Sequence, residues 1–101
     1  MSVTQPYTHG TWIVKSGKEE DFIRAWKELA EWTKANVPGA GTARLLRDRE
    51  QPNRFASFGP WGSLAAIAAW RQMAEFQQRV ARLRELLESF EPHTLELVAE
   101  V

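Results

Sequence analysis

Three features of this 101-residue chain predict an α+β domain of the ferredoxin-like kind, a four-stranded antiparallel sheet with its helices on one face. Four stretches alternate apolar and polar residues at period two, as half-buried strands do. Two helical regions repeat apolar residues every three to four positions. Turn residues separate these stretches in the order β-α-β-β-α-β.

The elements follow in order. Residues 1–7 have no period and contain Pro6, and read as a flexible lead-in to a single domain over residues 8–101. Residues 8–15 form the first strand, with Gly10, Trp12 and Val14 on one face and His9, Thr11 and Ile13 on the other. Ser16-Gly17-Lys18-Glu19 has the spacing of a capping box, and Glu19, Glu20 and Asp21 complement the positive end of a helix dipole. Phe22, Trp26, Leu29 and Thr33 then mark the buried stripe of a helix that should stop before Pro38-Gly39. Residues 42–47 form a second strand, and a polar connection over 48–53 returns the chain antiparallel into a third.

That third strand alternates Phe55, Ser57 and Gly59 with Arg54, Ala56 and Phe58. Gly59-Pro60 ends it, because proline donates nothing to a sheet ladder. Trp61 stands at the turn, Ser63 offers a helix N-cap, and an alanine-rich helix runs to Trp70-Arg71. After a break at Gln72-Met73-Ala74, the stripe Phe76, Val80, Leu83, Leu87 and Phe90 predicts the longest helix, stopped by Glu91-Pro92. Residues 94–101 alternate as a last strand. The sheet face opposite the helices carries His9, Thr11, Ile13, Ala56 and Phe58, a mixed but largely apolar patch that needs cover, so a homodimer through that sheet face is expected.

Equal numbers of acidic and basic residues, 13 of each, remove any broad electrostatic case for nucleic acid or an anionic membrane. The absence of cysteine excludes disulfides, thiolate metal sites and a thiol nucleophile. No apolar run is long enough to span a bilayer, and no signal-peptide pattern opens the chain, so a cytoplasmic protein is expected. Five tryptophans are an excess for so short a chain, since each buried indole N–H needs an acceptor. Either an interface and helix faces absorb them, or they wall a pocket for a flat ligand.

Phe22 and Trp26, the Pro38-Gly39 turn, Leu45-Leu46 with Asp48, Arg54-Phe55, Trp61 with Ser63, Trp70-Arg71 and Phe76-Gln77 resemble the antibiotic biosynthesis monooxygenase family. The resemblance runs from about His9 to Val98. It implies a dimeric α+β barrel with a pocket between helices and sheet. It also implies oxidation of a small aromatic or quinone-like metabolite by dioxygen, without metal or other cofactor. Relatives that degrade haem use a histidine iron ligand where this chain has Val80, and an asparagine where it has Gly10, which disfavours haem degradation here. The polyketide-oxidising branch uses a tyrosine, an asparagine, a tryptophan and an arginine. The chain's one tyrosine, Tyr7, falls in the lead-in, so that constellation is not reproduced, although Trp61 and Arg71 could fill the tryptophan and arginine roles.

Cofactor-free oxygenation requires a substrate that becomes an electron-rich anion, a base, a cation to steady the anion, and a dry cage. The candidates are His9 as base and Arg71 as anion stabiliser, with Trp12, Trp26, Phe55, Trp61 and Trp70 binding substrate. His93 sits where it could cap helix carbonyls, and two isolated histidines make no metal site. A non-oxidative, isomerase-like enzyme or a small-metabolite-binding dimer on the same scaffold is the alternative. A structural dimer whose pocket is filled by its own side chains is a third reading.

Overall fold

The computed structural model describes residues 5–101; residues 1–4, part of the expected lead-in, lie outside the described residues. Its elements are β1 (Pro6–Val14), α1 (Glu19–Asn36), β2 (Arg44–Arg47), β3 (Arg54–Pro60), α2 (Leu64–Gln72), α3 (Ala74–Arg84) and β4 (Leu87–Glu96). The four strands form one antiparallel sheet in the order β2-β3-β1-β4, the ferredoxin-like arrangement. Trp12 lies opposite Phe55 and Phe90, and Gly10 opposite Ser57 and Pro92, so the inward rows of three strands align under the helices. His9, opposite Phe58 and His93, belongs to the outward row.

Helix α1 lays Phe22, Leu29 and Thr33 against this inner face, with Trp26 partly buried beside them. Trp12, Val14, Phe55, Val80, Leu83 and Leu87 complete that core, tightened by the Trp12–Phe22 and Phe22–Phe55 ring contacts at 5.3 and 5.1 Å. A second, smaller cluster of Val37, Trp61 and Ile67 gathers where α2 meets the end of α1. Ser63 caps α2 as its sequence context indicates, its Oγ accepting from the Ala66 N–H at 3.0 Å.

Several boundaries differ from expectation, each for a physical reason. Strand β1 begins at Pro6, because the Trp61 N–H donates to the Pro6 carbonyl at 2.9 Å and anchors the chain two residues earlier. The capping box does not form. Gly17 at φ 86° closes a turn in which the Lys18 N–H donates to the Lys15 carbonyl, so α1 starts from Lys18 and no side chain caps it. Strand β2 starts at Arg44, after a break from the Ala40–Trp61 bridge.

The largest correction concerns the last helix. It ends at Arg84, making the 18-residue α1 the longest, and Leu87 and Phe90 lie on β4. Their spacing satisfies a helical stripe, but pairing with β1 through the Lys15 N–H to the Leu86 carbonyl, and a register shift at Ile13/Val14, draws them into the sheet. Pro92 is tolerated because β4 is an edge strand. The strand ends at Glu96, so residues 97–101 do not continue it.

The β2–β3 connection is held by Asp48, whose Oδ1 accepts from the Glu50 and Gln51 N–H groups at 2.8 and 3.1 Å. These bonds, the Glu50 one foremost, hold its carboxyl below the ordinary aspartate range, with Arg54 at 3.7 Å adding to them. A lowered folded value stabilises the protein where the group is ionised in both states. The stability difference between the wild type and Asp48→Ala in urea should therefore be full at neutral pH and fade as pH falls below about 4. Ser63→Ala should cost about 1 kcal/mol in the same assay, whereas Ser16→Ala should change stability by less than about 0.5 kcal/mol.

Candidate active site

Between the two hydrophobic clusters the helices and sheet enclose a chamber of about 280 Å³. Members of both clusters border it: Trp12, Leu29 and Val80 from one, Trp61 and Trp70 from around the other. Each element contributes by its inward row. Strand β1 supplies Thr8, Gly10 and Trp12, β3 supplies Ser57 and Gly59, and β4 supplies Phe90 and Pro92. Trp61 and Trp70 meet at 4.8 Å between ring centres, and Phe76 continues from Trp70 at 4.2 Å. On the sheet side Trp12 stacks on Phe90 at 3.9 Å with only 15° between the ring planes.

Three of these indoles are tied by the same device. The Trp12 N–H donates to Ser57 Oγ at 2.9 Å, that of Trp61 to Thr8 Oγ1 at 3.0 Å, and that of Trp70 to Thr33 Oγ1 at 3.1 Å. Each hydroxyl thereby uses an acceptor position, and its own proton remains to be donated; all three residues border the chamber. Gly10 makes the first of these bonds possible. A Cβ there would stand 2.9 Å from Trp12 Nε1 and 3.0 Å from both Ser57 Oγ and Phe90.

Arg71, at the end of α2, is half-buried at the chamber wall and reaches β4, its Nη1 donating to Thr94 Oγ1 at 2.8 Å and its Nη2 to the His93 carbonyl at 3.5 Å. These bonds engage two of its five N–H groups. The chamber's walls include Arg71 and Arg84 but no aspartate or glutamate. Their polar complement is therefore one of donors and cations.

The sequence over residues 7–82 matches the model of the family described as antibiotic biosynthesis monooxygenase. The chain belongs to that family. Among solved structures it is similar to SnoaB, a cofactor-independent oxygenase from Streptomyces nogalater, at 19% identity and a TM-score of 0.85 over 98% of this chain and 97% of that one. A protein from Shewanella oneidensis matches at 24% identity and 0.82 over 95% and 93% of the two chains. One from Pseudomonas aeruginosa matches at 19% and 0.79 over 98% and 99%. At these identities the likeness is one of fold. Comparison with curated protein sequences finds no match.

Within this family member the expected site residues separate into two groups. Trp12, Trp26, Trp61, Trp70 and Arg71 converge on the chamber. Phe55 is buried instead in the core against Phe22, with Arg47 5.1 Å from its ring centre. His9 borders the chamber, but its ring lies on the outer face of the sheet, 5.9 Å from that of His93. His93 is thus a strand residue and caps no helix. Val80, buried in the chamber wall, offers no donor to a metal. The chamber is open space, which overturns the reading of a pocket filled by its own side chains.

Thr8, Thr33, Ser57, Phe90 and Arg84 are site residues that the sequence reading did not single out. Alternation along β1 and β3 does place Thr8 and Ser57 on the face of Trp12, which was the available signal. Thr33→Val keeps the shape of the side chain but removes the acceptor of the Trp70 indole. It should lower stability by about 1 kcal/mol in chemical denaturation. The Trp70 emission should also broaden as the ring loses its fixed position.

Proposed function

We propose that this family member oxidises a small, flat, electron-rich aromatic or quinone-like metabolite with dioxygen, without a cofactor. The observation that carries the reading is the indole-walled chamber whose polar side chains include three hydroxyls and the Arg71 and Arg84 guanidinium groups. Its volume lies near the small end of ligand sites, roughly 300–1,000 Å³. Family membership and the fold shared with a cofactor-independent oxygenase support the same reading.

The chemistry follows from what these groups can do. An anthrone-like substrate loses a proton from its ring CH₂ and becomes an enolate. Arg71 and the hydroxyls that border the chamber stabilise the oxyanion, and the aromatic walls limit the access of competing water while its mouth stays open to solvent. The anion passes one electron to dioxygen, the resulting radicals join in a carbon–oxygen bond, and the O–O bond then breaks with loss of water. The ring CH₂ becomes C=O, and dioxygen supplies one oxygen to the product and one to water. With no carboxylate in the walls and the His9 ring facing outward, the substrate proton passes to solvent. That arrangement favours substrates acidic enough to ionise beside a cation.

We also place the protein in the cytoplasm as a homodimer joined through the outer sheet face. There Tyr7, Ile13, Ala56, Phe58, Leu46 and Leu95 share an uncovered surface, with Leu46 and Leu95 about half exposed at 53% and 49%. Sedimentation at micromolar concentration should give a two-chain mass, and Phe58→Glu should shift it to one chain. A single-chain mass for the wild type would overturn the pairing.

Purified protein given anthrone under oxygen, with no metal or flavin added, should form anthraquinone with one dioxygen consumed per turnover. Arg71→Ala should lower kcat at least tenfold while leaving the fold intact. Binding of anthrone or related quinols without turnover would instead identify a carrier or a non-oxidative enzyme.

A further inference from the structure

Arg84 is the last residue of α3, and its guanidinium carbon lies 5.5 Å from the centre of the Phe90 ring at the rim of the chamber. Among the described residues four arginines pair with carboxylates, namely Arg24, Arg47, Arg54 and Arg79. Arg71 and Arg84, the two that border the chamber, are not among them. The chain as a whole balances its acids and bases, yet this cavity carries cations and no counter-charge. A cleft of one sign, with low-dielectric aromatic walls, concentrates ligands of the other sign.

The two cations serve different parts of a ligand. Arg71 is fastened to Thr94 and Arg84 lies over Phe90, positions four residues apart on β4, which is about 13 Å along a strand. One carboxylate cannot engage two guanidinium groups anchored so far apart, whereas a three-ring aromatic carrying two separate anionic groups, each held by a charge-assisted hydrogen bond of about 3 Å, can. We propose that Arg84 determines specificity by selecting substrates that carry an acidic substituent, a carboxylate, on the ring edge remote from the oxidised carbon. The oxyanion at that carbon faces Arg71. This inference rests on the aromatic-chamber reading above.

A basic residue in the last turn of a helix also complements its dipole, and that alone could account for an arginine here. Arg82 provides the control: it lies in the same last turn and does not border the chamber. The test compares two probes, anthraquinone-2-carboxylate and neutral 2-methylanthraquinone, by quenching of tryptophan emission in the full chain. Arg84→Ala should weaken the carboxylate probe about fivefold and the neutral probe less than twofold, an effect the size of one exposed charge pair. Arg82→Ala should change neither, and Arg84→Lys should recover part of the loss. Raising salt to about 1 M should erase the preference for the carboxylate, since screening then acts within roughly 3 Å. Equal losses for both probes, or an equal loss in Arg82→Ala, would overturn the role of Arg84 and leave the aromatic chamber standing. Failure of both probes to bind the wild type would overturn the chamber reading as well.

Discussion

A buried indole must find an acceptor for its N–H, and this requirement organises the interior. Three tryptophans meet it with hydroxyls drawn from β1, α1 and β3, so each ring is fixed at one edge by a hydrogen bond and at the other by packing. An untethered indole would be free to rotate into the space between the helices and the sheet. Tethered, the rings become walls. The volume they border is then a property of the fold, held open by bonds whose removal would leave a buried or half-buried donor unmatched.

The same bonds tie the chamber to the sheet. Trp61 is fastened three times: its N–H donates to the Pro6 carbonyl, its carbonyl accepts from Gln5 Nε2, and its indole donates to Thr8. This brings the turn after β3 onto the first strand and places α2 where Trp70 and Arg71 reach inward. Arg71 in turn links α2 to the edge strand β4, beside a proline that could not stand in a central strand. Gly10 leaves the space in which Trp12 meets Ser57 and Phe90. What reads in the sequence as a missing polar residue is the condition for a well-positioned ring.

Much of this was legible beforehand. The stripe of Phe22, Leu29 and Thr33, the alternation of Trp12 with its neighbours and the Ser63 cap all express local periods or local bonds, and they survive folding. The end of α3 was not legible, because Val80, Leu83, Leu87 and Phe90 satisfy a helical period on both sides of the true boundary. Pairing with β1, remote in the chain, decides it. Gly17 defeats the capping box in the same way, by a turn that competes with the helix start.

For the site, the residue types were informative and their partners were not. The tryptophans and Arg71 announce themselves, but the hydroxyls that position the rings are 45, 53 and 37 residues away. His9 was assigned on chemistry, although its three-residue offset from Trp12 already put it on the opposite face of the strand. Alternation is the stronger constraint of the two.

Hydrogen exchange of the indole N–H groups, followed by nitrogen–proton NMR, reaches the tethered-wall claim most directly. The account predicts that three of the five indole signals exchange slowly and shift when anthraquinone is added, those of Trp12, Trp61 and Trp70. The signal of Trp32, which lies outside the chamber under Arg79, should exchange quickly and stay in place. Five signals exchanging at the rate of free indole, or slow signals indifferent to the ligand, would contradict it.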